Sequence, residues 1–425
     1  MSPHPRTHHP DDGSRPDGSA RRPDQARRRR PRAGAAALLG AGATAGLLVL
    51  TGCSADGGQA PTTTTEPAPV SAPPASGTPG PGPAAAPTTT GAVTAAADAT
   101  DVVTGLAAPW SVVRLDSGSS LVSLRDEGSV LEVLDDGGTR EVGAVEGVDD
   151  RGEGGLLGLA VLQGDPSYLY AYVTTAGDNR VVRMPLAGEA GSYSLGDRQD
   201  VLTGIPKAAN HDGGRIAFGP DGMLYVTTGD ASVTANAQDP ESLGGKILRL
   251  TPEGAVPDDN PTAGSPVWSR GHRNPQGLAW TADGTLWAAE FGQDTWDELN
   301  RIEPGANYGW PEVEGGGEGA DADGFTAPVL QWTTDEASPS GLTAVGSTLY
   351  LAGLGGERLF EIQPDGSGAA SSTELFTGDS SLGRVRDVLP GPDGTLWLVT
   401  NNTDGRGHPR ADDDRIVSVP VTPVA

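Results

Sequence analysis

The chain has 425 residues, 63 of them glycine, with aromatics at only 5% and a formal net charge of −27 at pH 7. That composition disfavours long amphipathic helices. Nine arginines and four aspartates crowd into the first 32 residues, and the rest carries 20 Lys+Arg against 52 Asp+Glu, a balance near −32 that excludes nucleic acid and anionic membrane surfaces as partners.

At the N-terminus the basic run RRRRPR (27–32) precedes the uncharged AGAAALLGAGATAGLLVL, which ends in Leu50-Thr51-Gly52-Cys53. Small residues before a cysteine at the end of an apolar stretch look like a bacterial lipoprotein cleavage box. A single membrane anchor is the competing reading, since about 18 apolar residues just span a bilayer. Cys53 is the only cysteine, which excludes an internal disulfide and suits a lipidated thiol. The expected organisation is a signal peptide over 1–52 and a Pro/Thr/Ala-rich tether over 53–100 that cannot bury a core. A folded body over 101–425 then works outside the cytoplasm, held to the membrane through Cys53.

Within the body two short units alternate. One is a turn followed by an aromatic or aliphatic strand: SGSSLVSL (117–124), DPSYLYAYV (165–173), PDGMLYVTT (220–228), ADGTLWAAE (282–290), VGSTLYLAG (345–353) and PDGTLWLVT (392–400). The other is a strand ending in a turn, from VLEVLDDGG (130–138) to RIVSVPVTP (415–423). Six pairs over about 325 residues give a period near 54, the length of a four-stranded propeller blade with its loops. No blade buries both faces alone, whereas six in a closed ring do, and closure protects the edges. The predicted fold is all-β, a six-bladed β-propeller of four-stranded antiparallel blades, with a two-sheet sandwich as the alternative. Ligands then belong at the channel mouth, on the stretches that break the repeat.

Four stretches break it. DDRGEGGLLGLAV (149–161) places Glu153 among glycines, as a tight connection or as part of a site. In ANHDGG (209–214), His211 sits in a Gly-rich turn before a strand, between Asn210 and Asp212; a structural role competes with that of a general base. SRGHRNPQGLAW (269–280) packs Arg270, His272, Arg273, Asn274 and Gln276 into one loop; a solvated loop competes with an anion or quinone-oxygen site, which paired arginines beside an amide also make. In AAEFGQDTWDELNRIEPGANYGWPEVEG (288–315), acids and turn carbonyls together suit Ca²⁺, although the spacing is not an EF-hand. No Cys nucleophile, Gly-x-Ser-x-Gly elbow, phosphate loop or His-Glu-x-x-His is present, and NAD-linked hydride transfer is disfavoured.

GHRNPQGL (271–278), the run from EFGQDTWDELN to GANYGWP, and HDGGRIAFGPDG, in this order, resemble the soluble quinoprotein sugar dehydrogenases of the glucose/sorbosone and aldose sugar dehydrogenase type. The resemblance runs from about residue 105 to the C-terminus. It implies a six-bladed propeller that oxidises aldose sugars at C1 to lactones, with pyrroloquinoline quinone (PQQ) as hydride acceptor over a Ca²⁺ ion, and an external electron acceptor. Position by position it implies His211 as general base and Arg273 with Asn274 at the quinone oxygens. The backbone carbonyls of Gly292 and Gln293 match the Ca²⁺ ligands, Arg384 and Arg386 the pair binding PQQ carboxylates, and Asn210 and Asn401 further polar neighbours. Glu153 stands where relatives have Gln, and Gly355 where they carry Lys or Arg. Those two departures favour the alternative of a non-catalytic cell-surface propeller binding carbohydrate or protein. A lactonase-type metal site is harder to reconcile with the arginines.

Overall fold

Turn chemistry sets the strand breaks. In Pro220-Asp221-Gly222, Asp221 Oδ1 accepts the Met223 N–H at 3.1 Å and Gly222 takes φ +75°, a left-handed conformation that suits glycine. Phe218 and Leu224 therefore face each other across an antiparallel hairpin. The computed structural model, which describes residues 91–316, 324–365 and 368–424, repeats this device around a ring of six sheets. Blade 1 covers 109–144, blade 2 156–205, blade 3 216–270, blade 4 275–333, blade 5 339–375 and blade 6 385–423. Every strand pairing is antiparallel, so the predicted six-bladed propeller is the fold observed.

The first strands of successive blades pack on one another around the axis: Pro109–Arg114 touches Leu156–Leu162 on one side and Val385–Pro390 on the other. The apolar core is correspondingly divided into six clusters, each lying between two neighbouring blades. Leu121, Val130, Leu169 and Val182 join blades 1 and 2, for example, and Leu299, Leu349 and Phe360 join blades 4 and 5. Two-sided burial explains why second strands such as Leu224–Thr228 and Thr348–Gly353 are buried throughout.

Blade 6 closes the ring with chain from both ends. Val93–Ala95 and Thr100–Val103 both pair with Ile416–Pro423. The folded body thus begins ahead of residue 101, inside the stretch assigned to the tether. Only Val93 and Ala95 carry the apolar alternation, and their partners Pro423 and Val421 are remote in sequence, so no local signal marks the strand. The signal segment 1–52, Cys53 and the tether up to residue 90 lie outside the described residues.

The axis itself is filled with polar side chains. Arg215 Nη1 meets Asp387 Oδ2 at 3.0 Å and Ser111 Oγ at 3.2 Å, and its Nε donates to the Gln276 carbonyl at 2.9 Å. The guanidinium lies 4.4 Å from the Trp110 ring. Asp387 also accepts the Val112 N–H. This network ties blades 1, 3, 4 and 6 together and forms the floor below the channel mouth.

Candidate active site

One rim of the ring is built from two kinds of position: residues just before the first strand of a blade, and residues just after its second. The former include Glu153, His211, Arg273, Ser338 and Arg384; the latter include Arg125, Asp230, Leu354 and Asn401. Antiparallel pairing brings these positions to the same end of every blade.

His211 is held in the left-handed region at φ +64°. Its N–H donates to Glu153 Oε2 at 3.0 Å and its carbonyl accepts the Ala231 N–H at 3.1 Å. A Cβ at position 229 would strike that carbonyl, which explains Gly229. The imidazole Nδ1 lies 2.7 Å from Asp230 Oδ1. A carboxylate there makes Nδ1 the donor, so Nε2 keeps its lone pair, and among the described residues it has no partner. The Asp230 carboxylate also accepts the Ser232 N–H at 2.7 Å and Trp310 Nε1–H at 2.8 Å. Burial works to raise Asp230, but the hydrogen bonds from His211 and Trp310 outweigh it and hold the carboxyl below its usual range. The loop that carries Asp230 is anchored by buried Lys246, whose Nζ donates to the carbonyls of Asn236, Ala237 and Gly244.

Arg273 joins this dyad to the next blade. Its carbonyl accepts the Asp230 N–H at 2.8 Å. Its guanidinium donates to Gln293 Oε1 at 3.0 and 2.8 Å and to the Phe291 carbonyl, and lies 5.7 Å from the Trp310 ring. Burial lowers its pKa. Asn274 is buried, and its Oδ1 accepts the Gly213 N–H at 3.0 Å, which fixes the His211 turn. Both residues are set by Glu290, which accepts both of their N–H groups on one oxygen and bonds His272 Nδ1 at 2.8 Å on the other. His272 Nε2 in turn meets Ser269 Oγ at 2.8 Å, a Ser-His-Glu chain that is fully buried and braces the loop.

Beside these groups lies a cavity of about 160 Å³ lined by Arg125, Arg384, Arg386 and Arg406 together with Glu153, Trp110 and Phe291. Arg125 is paired with Asp126, Arg384 with Asp404, and Arg406 with Glu153. Arg386 differs: it is buried, and its hydrogen bonds run only to the neutral groups of Gln276, Ser340 and Asn401. Burial, with Arg125 and Arg384 nearby, pushes its pKa down to about 9. A buried cation with no carboxylate in contact fits an anionic ligand. The donor set therefore suits an anionic ligand.

The expected residues are placed unevenly. His211, Glu153, Arg273, Arg384 and Arg386 come together at this rim. Asn401 is turned onto Arg386, its Oδ1 accepting at 3.0 Å, and so positions that side chain. Asn210 is exposed, and only its carbonyl is engaged, by Ser232 Oγ at 3.3 Å. Gly292 and Gln293 border Arg273; the Gly292 N–H donates to Asp297, and Glu314 Oε1 accepts four successive N–H groups from Gln293 to Trp296. Among the described residues no group of three or more His, Cys, Asp or Glu is arranged to hold a metal. Asp230, Trp310, Arg125 and Arg406 were missed by sequence reasoning.

Asp212, under the His211 turn, offers a pH test. Burial pushes its carboxyl up to about 6, against hydrogen bonds from Asn179 and Ala208. A raised folded-state value favours the protonated form, so this contribution to stability is complete below about pH 4 and declines as pH rises through about 6. Between those limits the parent is expected to lose about 1–3 kcal/mol more than Asp212→Asn, which keeps an acceptor for Asn179. Urea unfolding at the two pH values reads the difference, and equal losses contradict it.

The glucose/sorbosone dehydrogenase family profile matches residues 106–408. The PQQ-bound aldose sugar dehydrogenase of Streptomyces coelicolor is 49% identical, with a TM-score of 0.73 over 80% of this chain and 100% of that one. A glucose dehydrogenase-type oxidoreductase of Thermus thermophilus is 41% identical, with a TM-score of 0.68 over 76% and 99%. The aldose sugar dehydrogenase YliI of Escherichia coli is 29% identical over 332 residues, 70% of this chain and 88% of that protein. With the profile covering most of the body and the same propeller in these relatives, the chain belongs to the glucose/sorbosone dehydrogenase family.

Proposed function

We propose that the protein oxidises aldose sugars at C1 to lactones, with PQQ as hydride acceptor and Ca²⁺ as its companion ion. The observation that carries this reading is the unpartnered Nε2 of His211, whose N–H is held by cavity-lining Glu153, together with a buried Arg386 that has no carboxylate in contact. PQQ, when bound, supplies the two-electron acceptor for the C1 hydride. Arg384 and Arg386 would hold its carboxylates, and Arg273 would donate toward its quinone oxygens. The carbonyls of Gly292 and Gln293 hold Ca²⁺, a hard cation that takes oxygen ligands.

The chain's own chemistry is proton handling and positioning. His211 Nε2 takes the proton of the C1 hydroxyl as the C1–H bond breaks, and Asp230 fixes the tautomer and stabilises the imidazolium that forms. Trp310 holds the far oxygen of Asp230 and flanks Arg273. Two electrons and two protons leave the sugar, and an external acceptor completes turnover. Export and a lipid anchor at Cys53 belong to the same proposal, since such a sugar oxidation outside the cytoplasm needs no NAD.

Apo protein titrated with PQQ in Ca²⁺ is expected to perturb the cofactor's absorbance saturably, and the loaded protein to reduce an artificial dye when given aldoses. A folded protein that neither binds PQQ nor reduces dye overturns the proposal. Arg386→Leu is expected to weaken PQQ binding by about 10- to 100-fold while the fold persists, as for loss of a charge-assisted carboxylate contact.

A further inference from the structure

Arg406 is the one lining guanidinium of the cavity that is loosely held. It sits in the loop between strands Thr395–Thr400 and Ile416–Pro423 of blade 6, and its side chain is 52% exposed. Its side-chain bonding is a single contact, Nη1 to Glu153 Oε1 at 3.4 Å; among the described residues Nε and Nη2 have no partner. Arg384, by contrast, is clamped at 3.1 Å by Asp404, which is almost fully buried. The same Asp404 accepts the Arg406 N–H at 2.9 Å, so the base of the loop is fixed and its tip faces the cavity.

Glu153 holds both sides of the mouth. One of its oxygens faces Arg406, and the other accepts the His211 N–H. The Coulomb field of Glu153 opposes an anion in the cavity, and Arg406 offsets it. We infer that Arg406 is an anion-binding residue of this cavity, held in reserve by Glu153 until a polycarboxylate ligand enters, when it turns from Glu153 to a ligand carboxylate. This assignment rests on the PQQ reading and extends it to a residue in the blade 6 loop that matches the blade 5 loop carrying Gly355. Gly355 borders Ser338, which lines the same cavity, and has no cation to offer.

The pair makes a prediction of sign. Glu153→Gln keeps an acceptor for the His211 N–H but removes the charge, so it is expected to tighten PQQ binding by about three- to tenfold. Arg406→Gln is expected to weaken it by about 10- to 100-fold, and Arg406→Lys to stay within a few-fold of the parent. A merely structural bridge would make both neutral substitutions weaken binding. Each Kd is read by titrating the apo full chain with PQQ at saturating Ca²⁺ and following absorbance, with thermal unfolding as a check of the fold. A second arm places a cation on the neighbouring blade's loop: Gly355→Lys with Ser338→Gly, which clears the side chain that a Cβ at 355 would meet, is expected to restore about tenfold in the Arg406→Gln background.

A parent that binds PQQ while Arg406→Gln matches it within about twofold, or Glu153→Gln and Arg406→Gln that shift Kd in the same direction, overturns the Arg406 assignment and leaves the dehydrogenase reading standing. A folded parent that binds no PQQ overturns both.

Discussion

His211→Ala is expected to lower kcat/KM for aldose oxidation by about 10²–10⁴-fold, the range for loss of a positioned general base. PQQ affinity is expected to change little, because the imidazole bonds only Asp230 and the cavity cations lie on other loops. Asp230→Asn tests the orientation of the ring. In the parent, Oδ1 accepts from Ser232 N–H and His211, and Oδ2 accepts from Trp310 Nε1–H. An amide has one acceptor and one donor, so whichever way it points it sets an N–H against a donor. With the NH₂ toward His211, the imidazole proton is driven to Nε2 and the base is lost. Asp230→Asn is therefore expected to lose about as much activity as His211→Ala, and Trp310→Phe, which leaves Asp230 one donor short, to lose roughly tenfold. Steady-state dye reduction by fully loaded variants checks all three. Parental kcat/KM in His211→Ala would remove the general base from the mechanism.

The fold was legible because its unit is local. A turn followed by an apolar strand states both the hairpin and the two-sided burial, and it recurs six times. The N-terminal strand that helps close the ring was not legible, because Val93–Ala95 makes a strand only by pairing with Ile416–Pro423. At the site, His211 and Arg273 stood out because their loops interrupt the repeat. Asp230 and Arg125 did not, since each lies within two residues of a repeating strand and reads as its end. The missing rule is geometric: in an antiparallel blade, the residue after the second strand shares an end with the residues before the first. Applied to the repeats, it sets Asp230 against His211 and Asn401 against Arg384, and it puts Arg125 at the same end of blade 1. Arg406 lies too deep in an irregular loop for that rule, and only the fold brings it to Glu153. The charge problem posed by Glu153 in isolation has the same resolution, because its counter-charge lies 253 residues away.

Asp387→Ala is expected to destabilise the protein by about 3–5 kcal/mol, among the largest effects of any single substitution here. Asp387 is buried at the axis, where burial raises its pKa and Arg215 is the first influence opposing that rise. Removing it strands the Arg215 guanidinium, already short of a partner at Nη2, and leaves the Val112 N–H unsatisfied. No solvent path relieves either group, because Arg215 is itself buried against Trp110 and the Gln276 carbonyl. The expected fall in Tm is on the order of 10 °C. The pair is costly to break but need not be net stabilising, since desolvating two ions offsets most of their attraction. Arg215→Met combined with Asp387→Leu is accordingly expected to recover most of the lost stability. Thermal and urea unfolding of the two variants decides the point: a double variant as unstable as Asp387→Ala would mean that the axis depends on the hydrogen bonds Arg215 makes to Ser111 and Gln276, and not on the cost of an orphaned charge.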